Sequence, residues 1–281
     1  MPLDARHTLF RWAGGKRRLV RYLTAAVPVD YRHRFYREPF LGAASLYFAL
    51  RPPQADLSDL NRDLIEALKE ICFRPELVAR YLRDHAANDS EKYYYAVRDA
   101  YNAATTYSAA QAARFVYLNR TCFNGIFRVN RANGFNVPYG KLKTPLFPSR
   151  AHLSHVASTL GGAGLFTADY EDALEGATAG DFVYLDPPYP PLNGTSFFRH
   201  YTPERFGEED QIRLAQCVAE LTDRGCLVMM SNADMPGIRK LYAKCHVATI
   251  PVTRHVSSKN KKHEVQELLI TNYLPPLANG R

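Results

Sequence analysis

Two hydrophobic periodicities alternate along the chain. Short apolar runs bounded by polar or turn residues predict strands at His33 to Arg37, Ala55 to Ser58, Gly164 to Ala168, Asp181 to Asp186, Cys226 to Ser231, His246 to Val252 and Val265 to Tyr273. The first two are each followed by a stretch in which apolar residues return every three or four positions, as on one face of a helix. Strands alternating with helices build a mostly parallel sheet covered on both faces, so the fold class is α/β. From about Leu64 to Arg150 the text changes. EALKEICF, ELVARYLRDHA, KYYYAVRDAYNAA and AAQAARFVYL predict amphipathic helices, and a loop rich in Asn and Gly follows. Residues 63–150 therefore read as a helical insert in a core formed by residues 1–62 and 151–281. There is no internal repeat and no low-complexity segment.

Composition narrows the class. A chain of 281 residues suits one large domain or a core carrying a smaller insert. Hydrophobic residues at 46% and charged residues at 23% exclude a disordered chain and a membrane bundle. No apolar run approaches the roughly 18 residues of a membrane-spanning helix. The segment MPLDARHTLFRWAGGKRRL has early basic residues without the apolar stretch of a signal peptide, so a soluble, cytoplasmic protein is expected. Five cysteines (Cys72, Cys122, Cys217, Cys226, Cys245) are scattered with no C-x-x-C pair, which fits reduced thiols and implies no metal.

Charge points to a partner. The 36 Lys and Arg against 28 Asp and Glu leave a net charge of +8, which favours a polyanion. Between Tyr101 and Ala168 there is no Asp or Glu, while Arg114, Arg120, Arg128, Arg131, Lys141, Lys143 and Arg150 are spread among Asn, Phe and Tyr. Such a surface can neutralise phosphates and also touch bases, although a basic solvated face has the same composition.

Three segments carry ligand-binding character. In HRFYREPFLGAASLYFAL a strand ending in Glu38 leads through Pro39-Phe40 to a turn at Gly42 and then a helix, which places backbone amides beneath a ligand at the carboxyl edge of the sheet. Any strand-turn-helix junction also needs a small residue there. In DLSDLNRDLIEAL, Asp59 would end the second strand, about where a Rossmann-type acid grips ribose hydroxyls, and helix capping by Ser58, Asp59 or Asn61 reads equally well. Together the two favour an adenosyl-type ligand. Near the amino terminus, Arg11-Trp12-Ala13-Gly14-Gly15-Lys16-Arg17 is not a phosphate loop, because Phe10 stands where the leading Gly belongs and Arg17 where Ser or Thr should follow Lys16. It is a tight loop bearing one flat ring and one cation.

The strongest chemical signal is GDFVYLDPPYPPL, a buried strand that ends in Asp186-Pro187-Pro188-Tyr189. An exocyclic amino group on adenine or cytosine is a poor nucleophile, because its lone pair is delocalised into the ring. Accepting one N–H with Asp186 and the other with the Pro187 carbonyl would draw that nitrogen toward tetrahedral geometry and aim its lone pair at an electrophilic methyl. Proline offers a carbonyl without a competing N–H and stiffens the turn. Tyr189 would stack on the base once it has left the helix.

These segments stand in one order along nearly the whole chain: RWAGGKR, REPFLGAASLYF, LSDLNRDL, YLNRTCFNGIFRVN with GFNVPYG, VYLDPPY and EVQELLITNY. In that order the chain resembles the Dam-type DNA adenine-N6 methyltransferases, which use S-adenosylmethionine. The resemblance implies a Rossmann-like methyltransferase core with a helical target-recognition insert, and Asp186, Pro187, Pro188 and Tyr189 as the catalytic motif. It implies a cofactor site made of Trp12, Lys16, Glu38, Phe40, Gly42, Asp59 and Asp186, with Asp169 and Tyr170 near the cofactor's adenine. Double-stranded DNA would be met by Arg11, Asn119, Arg120, Phe123, Asn124, Arg128 and Pro138. Of these, Phe123 would wedge into the stack, Asn124 would face the orphaned base, Arg128 would read a guanine and Pro138 would touch a thymine methyl. A loop RHVSSKNKKHE, with Arg254, Lys259, Lys261 and Lys262, would clamp phosphates, and the implied target is GATC. Two positions depart from the family. Ala43-Ala44 stands where a second glycine is usual, so that a methyl would crowd the methionine moiety, and Phe123 stands where Tyr is common.

Four further expectations follow. The enzyme acts as a monomer, is found with the nucleoid, touches no membrane and is compatible with a companion restriction endonuclease. A cytosine-N4 methyltransferase, an RNA adenine methyltransferase and a catalytically silent DNA-binding module are the competing readings.

Overall fold

The computed structural model describes residues 9–190, 206–255 and 262–276. Among them, seven strands form one sheet: β1 (Tyr36–Glu38), β2 (Ala55–Asp59), β3 (Ala163–Thr167), β4 (Phe182–Leu185), β5 (Leu227–Ala233), β6 (His246–His255) and β7 (Lys262–Thr271). Their order is β3-β2-β1-β4-β5-β7-β6. β1 pairs in parallel with β2 and β4, β4 in parallel with β5, and β7 runs antiparallel between β5 and β6. The helices are α1 (Val20–Ala26), α2 (Ser45–Leu50), α3 (Arg62–Phe73), α4 (Pro75–Ala87), α5 (Glu91–Ala103), α6 (Ala109–Thr121), α7 (Arg150–Leu160), α8 (Tyr170–Leu174), α9 (Glu208–Asp223) and α10 (Pro236–Leu241). The α/β class read from the periodicity is the observed one. The first strand begins later than expected, because Tyr31–His33 closes a 3-10 turn before β1.

The chain divides into two compact units, one of residues 1–15, 42–48 and 59–167 and the other of residues 16–41, 49–58 and 168–281. In the first unit α6 is the centre, packed against α3, α4 and α5. Its sequence reads as amphipathic, yet the helix is buried almost all round, from Gln111 through Arg120 and Thr121. The correction has a local cause: Ala109, Ala112 and Ala113 are small enough to let neighbouring helices close over the face a periodicity argument leaves to solvent. Several polar groups inside bond to one another. Gln111 donates to the Tyr101 carbonyl at 3.0 Å, and Asp63 accepts hydroxyls from Tyr101 and Tyr107 at 2.5 and 2.9 Å.

In the second unit the core lies between β4, β5 and β7 and the helices α8, α9 and α10, with Val183, Leu185, Val228, Met230, Leu268 and Ile270 meeting Leu174, Leu214, Val218, Leu221 and Ile238. β4 is buried at all four positions, as a strand in a sheet covered on both faces must be. Arg37 on β1 ties the sheet together: its Nε lies 2.8 Å from Asp181 Oδ2, its Nη1 3.1 Å from Asp56 Oδ2, and its Nη2 donates to the Gly176 carbonyl at 2.9 Å. With Asp181 only 8% exposed, removing the guanidinium strands a carboxylate in low dielectric. Arg37→Met should therefore lower the unfolding free energy by about 3 kcal/mol. Urea denaturation checks this, and a loss under about 1 kcal/mol would mean that water reaches Asp181.

Candidate active site and nucleic-acid interface

The carboxyl end of β4 delivers Asp186. Lys16 opens a 3-10 turn (Lys16–Arg18), and its Nζ lies 2.8 Å from Asp186 Oδ1. Ser231 of β5 donates its hydroxyl to the same oxygen at 3.0 Å. The Tyr184 hydroxyl is 3.0 Å from Ser231 Oγ and, with the serine proton engaged, acts as donor there. Burial pushes the Asp186 carboxyl above the ordinary carboxylate value, the Lys16 ammonium and the Ser231 hydroxyl pull it back, and the charge of Glu267 adds to the rise. Asp186 keeps 18% of its side chain exposed and Lys16 7%, so the acid stays reachable while its counter-ion is desolvated.

The turn that follows is held from outside the motif. Gln211 on α9, fully buried, donates to the Pro188 carbonyl at 3.3 Å and accepts from Asn232 Nδ2 at 3.0 Å. Tyr189 donates its hydroxyl to Glu267 Oε2 at 2.8 Å, and its ring carries the Lys16 ammonium 4.2 Å from the centroid. Ser231, Gln211 and Glu267 escaped the sequence reading. Ser231 and Glu267 carry one signal, a polar residue beside an apolar run, in MMSNA and QELLIT, and that pattern does not name a partner; Gln211, in the polar stretch EEDQIR, carries none.

Other expected residues of the second unit gather around an aromatic pair. Phe40 stacks on Tyr170 with centroids 5.3 Å apart and planes 28° from parallel. Asp169 caps α8 by accepting from the Glu171 amide, and Arg213 binds the Tyr170 hydroxyl at 2.9 Å while standing 3.8 Å from Asp169. Glu38 is 2% exposed at the end of β1 and accepts the Tyr36 hydroxyl at 2.8 Å.

In the first unit Trp12, Gly42 and Asp59 come together. Gly42 has φ 47°, and a Cβ there would fall 2.8 Å from Trp12 Cδ1, so both backbone conformation and close approach require glycine. Trp12 also stacks on Phe127 at 6.0 Å. Asp59 accepts the Gly42 amide at 2.9 Å and the Asn61 amide at 2.8 Å. Burial raises its carboxyl and these two bonds lower it. The cap of α3 is Asn61, whose side chain accepts from the Leu64 amide, so of the three capping candidates it is Asn61 that serves. Within the Ala43-Ala44 pair, Ala44 takes a left-handed φ of 53° and is buried, a conformation that costs a residue with a Cβ some backbone strain.

The hairpin after α6 is anchored by its buried end. Asn119, 2% exposed, accepts the Arg11 amide and donates to the Arg11 carbonyl, both at 2.7 Å. Arg120 is buried too, and burial together with the Arg11 charge brings it down to about 10. Phe123, Asn124, Arg128 and Pro138 are exposed. Asn124 takes φ 57° and Gly125 φ 64°, and a Cβ on Gly125 would meet Arg11 Cβ at 2.5 Å. The Phe123 amide donates to the Pro138 carbonyl at 2.9 Å, which sets Phe123 and Pro138 side by side. Arg128 is held across the hairpin, its Nε donating to Asn136 Oδ1 at 2.8 Å, a partner the sequence did not announce.

The segment RHVSSKNKKHE, expected to clamp phosphates, lies only partly among the described residues. Arg254 lies in β6 and Lys262 opens β7, so strand pairing claims both ends of the supposed loop, while Lys259 and Lys261 lie outside the described residues. Among the described residues no helix is long and apolar enough to cross a membrane, and no three His, Cys, Asp or Glu residues are grouped to hold a metal.

Comparison with known proteins agrees with this chemistry. The model of the D12 class N6 adenine-specific DNA methyltransferases matches residues 12–258. The chain is 36% identical over 269 residues to the Type II methyltransferase M1.LlaDCHI of Lactococcus lactis subsp. cremoris, covering 94% of each chain. It is 34% identical to the Type II methyltransferase M.MjaIII of Methanocaldococcus jannaschii, over 94% of this chain and 98% of that one. It is 31% identical to the DNA adenine methylase of Escherichia coli strain K12, over 94% of each. With the model matching residues 12–258 and three relatives above 30% identity over nearly the whole chain, the chain belongs to the D12 class of N6 adenine-specific DNA methyltransferases.

Proposed function

We propose that the enzyme flips an adenine out of duplex DNA, at GATC, and transfers to its N6 the methyl group of S-adenosylmethionine. The observation that carries this reading is Asp186 at the end of a fully buried strand, desolvated and paired with Lys16, ahead of a Pro-Pro turn whose tyrosine presents a ring face. The cofactor, when bound, supplies an electrophilic methyl, and breaking its S–CH3 bond leaves S-adenosylhomocysteine. Asp186 accepts one N–H of the target amine and the Pro187 carbonyl the other, while Tyr189 stacks on the base. Because Lys16 rests on that face and on that carboxylate, the ammonium must give way when the base arrives. Asp186 orients the amine and stabilises developing charge, since the amine proton becomes acidic only as the new bond forms.

The residues fit an adenosyl cofactor. Asp59 spends one lone pair of each oxygen on backbone amides, leaving acceptors for ribose hydroxyls. Gly42, with no side chain, lets the Trp12 ring close against the turn, which supplies an aromatic wall for an adenosyl ligand. Lys16, Glu38, Phe40, Asp169, Tyr170 and Asp186 are assigned to the same ligand. On the DNA side, Phe123 is the wedge, Asn124 faces the vacated position, Arg128 and Arg11 read guanines, and Pro138 meets a thymine methyl. Asn119 holds Arg11, and Arg120 supplies buried positive charge beneath the hairpin. The type II relatives support a restriction-modification setting, and a monomer in the cytoplasm is the state in which we expect the enzyme to work.

Asp186→Ala should abolish most turnover while leaving duplex binding intact, and near-normal turnover would remove the catalytic assignment. The pH profile is a finer test. A carboxyl held above its ordinary value must still be ionised to accept the amine, so kcat/KM should fall as the pH drops through that raised value. Lys16 lowers it, so Lys16→Met should move the acid limb to higher pH. A limb that stays in place would mean another group titrates there.

Asp59→Ala should weaken S-adenosylmethionine binding by calorimetry and leave cofactor-free DNA affinity unchanged. Equal cofactor affinity would reduce Asp59 to a turn-forming residue.

Reading and holding should fail differently. Arg128→Ala removes a guanidinium worth about 1–3 kcal/mol of base discrimination, so the ratio of rates on GATC and singly altered duplexes should collapse at one base pair. Replacing Lys259, Lys261 and Lys262 by Ala should weaken every duplex alike and flatten log K against log salt by about 0.9 per lost contact. An unchanged cognate ratio in Arg128→Ala would withdraw the hairpin as reader.

A further inference from the structure

The acid at Glu267 is buried at 4% exposure in the antiparallel strand β7, followed by the wholly apolar Leu268, Leu269 and Ile270. It pairs in register with Ala233 of β5 and Ile250 of β6, so its position is set by two flanking strands. Burying a carboxylate is costly, and a neutral side chain of similar size would fill the space with less penalty. Its Oε2 accepts the Tyr189 hydroxyl at 2.8 Å. Burial, and then the charges of Asp186 and Glu267, hold that phenol well above its ordinary value, so it remains a proton donor.

We infer that Glu267 is the positioning residue of Tyr189: by accepting its hydroxyl from a strand fixed on both sides, it locks the ring in the plane on which the target base stacks. Tyr189 follows the Pro187-Pro188 turn, and that backbone by itself leaves the ring free to rotate about its side-chain torsions. The bond to Glu267 removes that freedom before the base arrives, and ordering done in advance is not charged against the bound state. The role is purely geometric. No proton leaves Tyr189, and Glu267 touches neither the amine nor the methyl group.

This inference rests on the reading of Tyr189 as the stacking face, and the experiment separates the two. Turnover is measured at saturating S-adenosylmethionine on a GATC duplex for Tyr189→Ala, Tyr189→Phe, Glu267→Ala, Glu267→Gln and the Tyr189→Phe/Glu267→Ala pair. Tyr189→Phe and Glu267→Ala should each lose roughly tenfold in kcat, with KM for the cofactor unchanged. The pair should lose no more than either one, because both remove the same bond. Glu267→Gln keeps a carbonyl acceptor and should retain turnover within about threefold. With 2-aminopurine in place of the target adenine, Glu267→Ala should fluoresce more brightly than the parent, since the flipped base is less well stacked. Normal turnover in Glu267→Ala overturns the inference, as does a pair whose losses multiply to about a hundredfold. If Glu267→Ala does not fold, Glu267→Gln decides, and a loss of tenfold or more in a folded protein overturns it. Full activity in Tyr189→Ala would instead overturn the stacking reading itself.

Discussion

Desolvation of one carboxylate governs the chemistry of this fold. Asp186 stands at the end of a strand buried at every position, where an unpaired charge would be intolerable. Lys16 and Ser231 both meet its Oδ1, so the charge survives burial and keeps an edge open to solvent. The same low dielectric that makes the acid expensive to bury makes its hydrogen bonds strong. A site built this way is ordered before substrate arrives.

Satisfying that acid and its turn explains much of the surrounding sheet. β5 supplies Ser231, α9 supplies Gln211 beneath the Pro188 carbonyl, and the antiparallel β7 supplies Glu267. These are polar groups inserted into elements whose other residues form the core. Each weakens the packing locally, and each is matched with a partner, which is the condition under which a buried polar network specifies one arrangement.

The helical unit follows the same logic with a different purpose. α6 is buried nearly all round, and its last turn ends in Asn119 and Arg120, which lie beneath an exposed hairpin bearing Phe123, Asn124 and Arg128. A rigid base under an exposed tip lets side chains project without the backbone yielding. Gly125 and Asn124, both at positive φ, make the bend that Arg11 packs against.

The α/β class, the helical text after Leu64, the Asp-Pro-Pro-Tyr motif and the glycine turn were legible in the sequence, because periodicity, turn chemistry and motif order are written in neighbouring residues. Asn61 rather than Asp59 as the cap, the burial of α6 and the strand character of Arg254 and Lys262 were not, since each depends on what packs or pairs alongside. Lys16 and Asp186 were expected at one cofactor site, but their direct contact at 2.8 Å belongs to the folded chain. Ser231 and Glu267, 45 and 78 residues beyond the groups they hold, carried only the mark of a polar residue in an apolar run. A local pattern reports the face a residue needs, whereas the partner that satisfies a buried polar group is chosen by strand order and register, and those exist only once the sheet has formed.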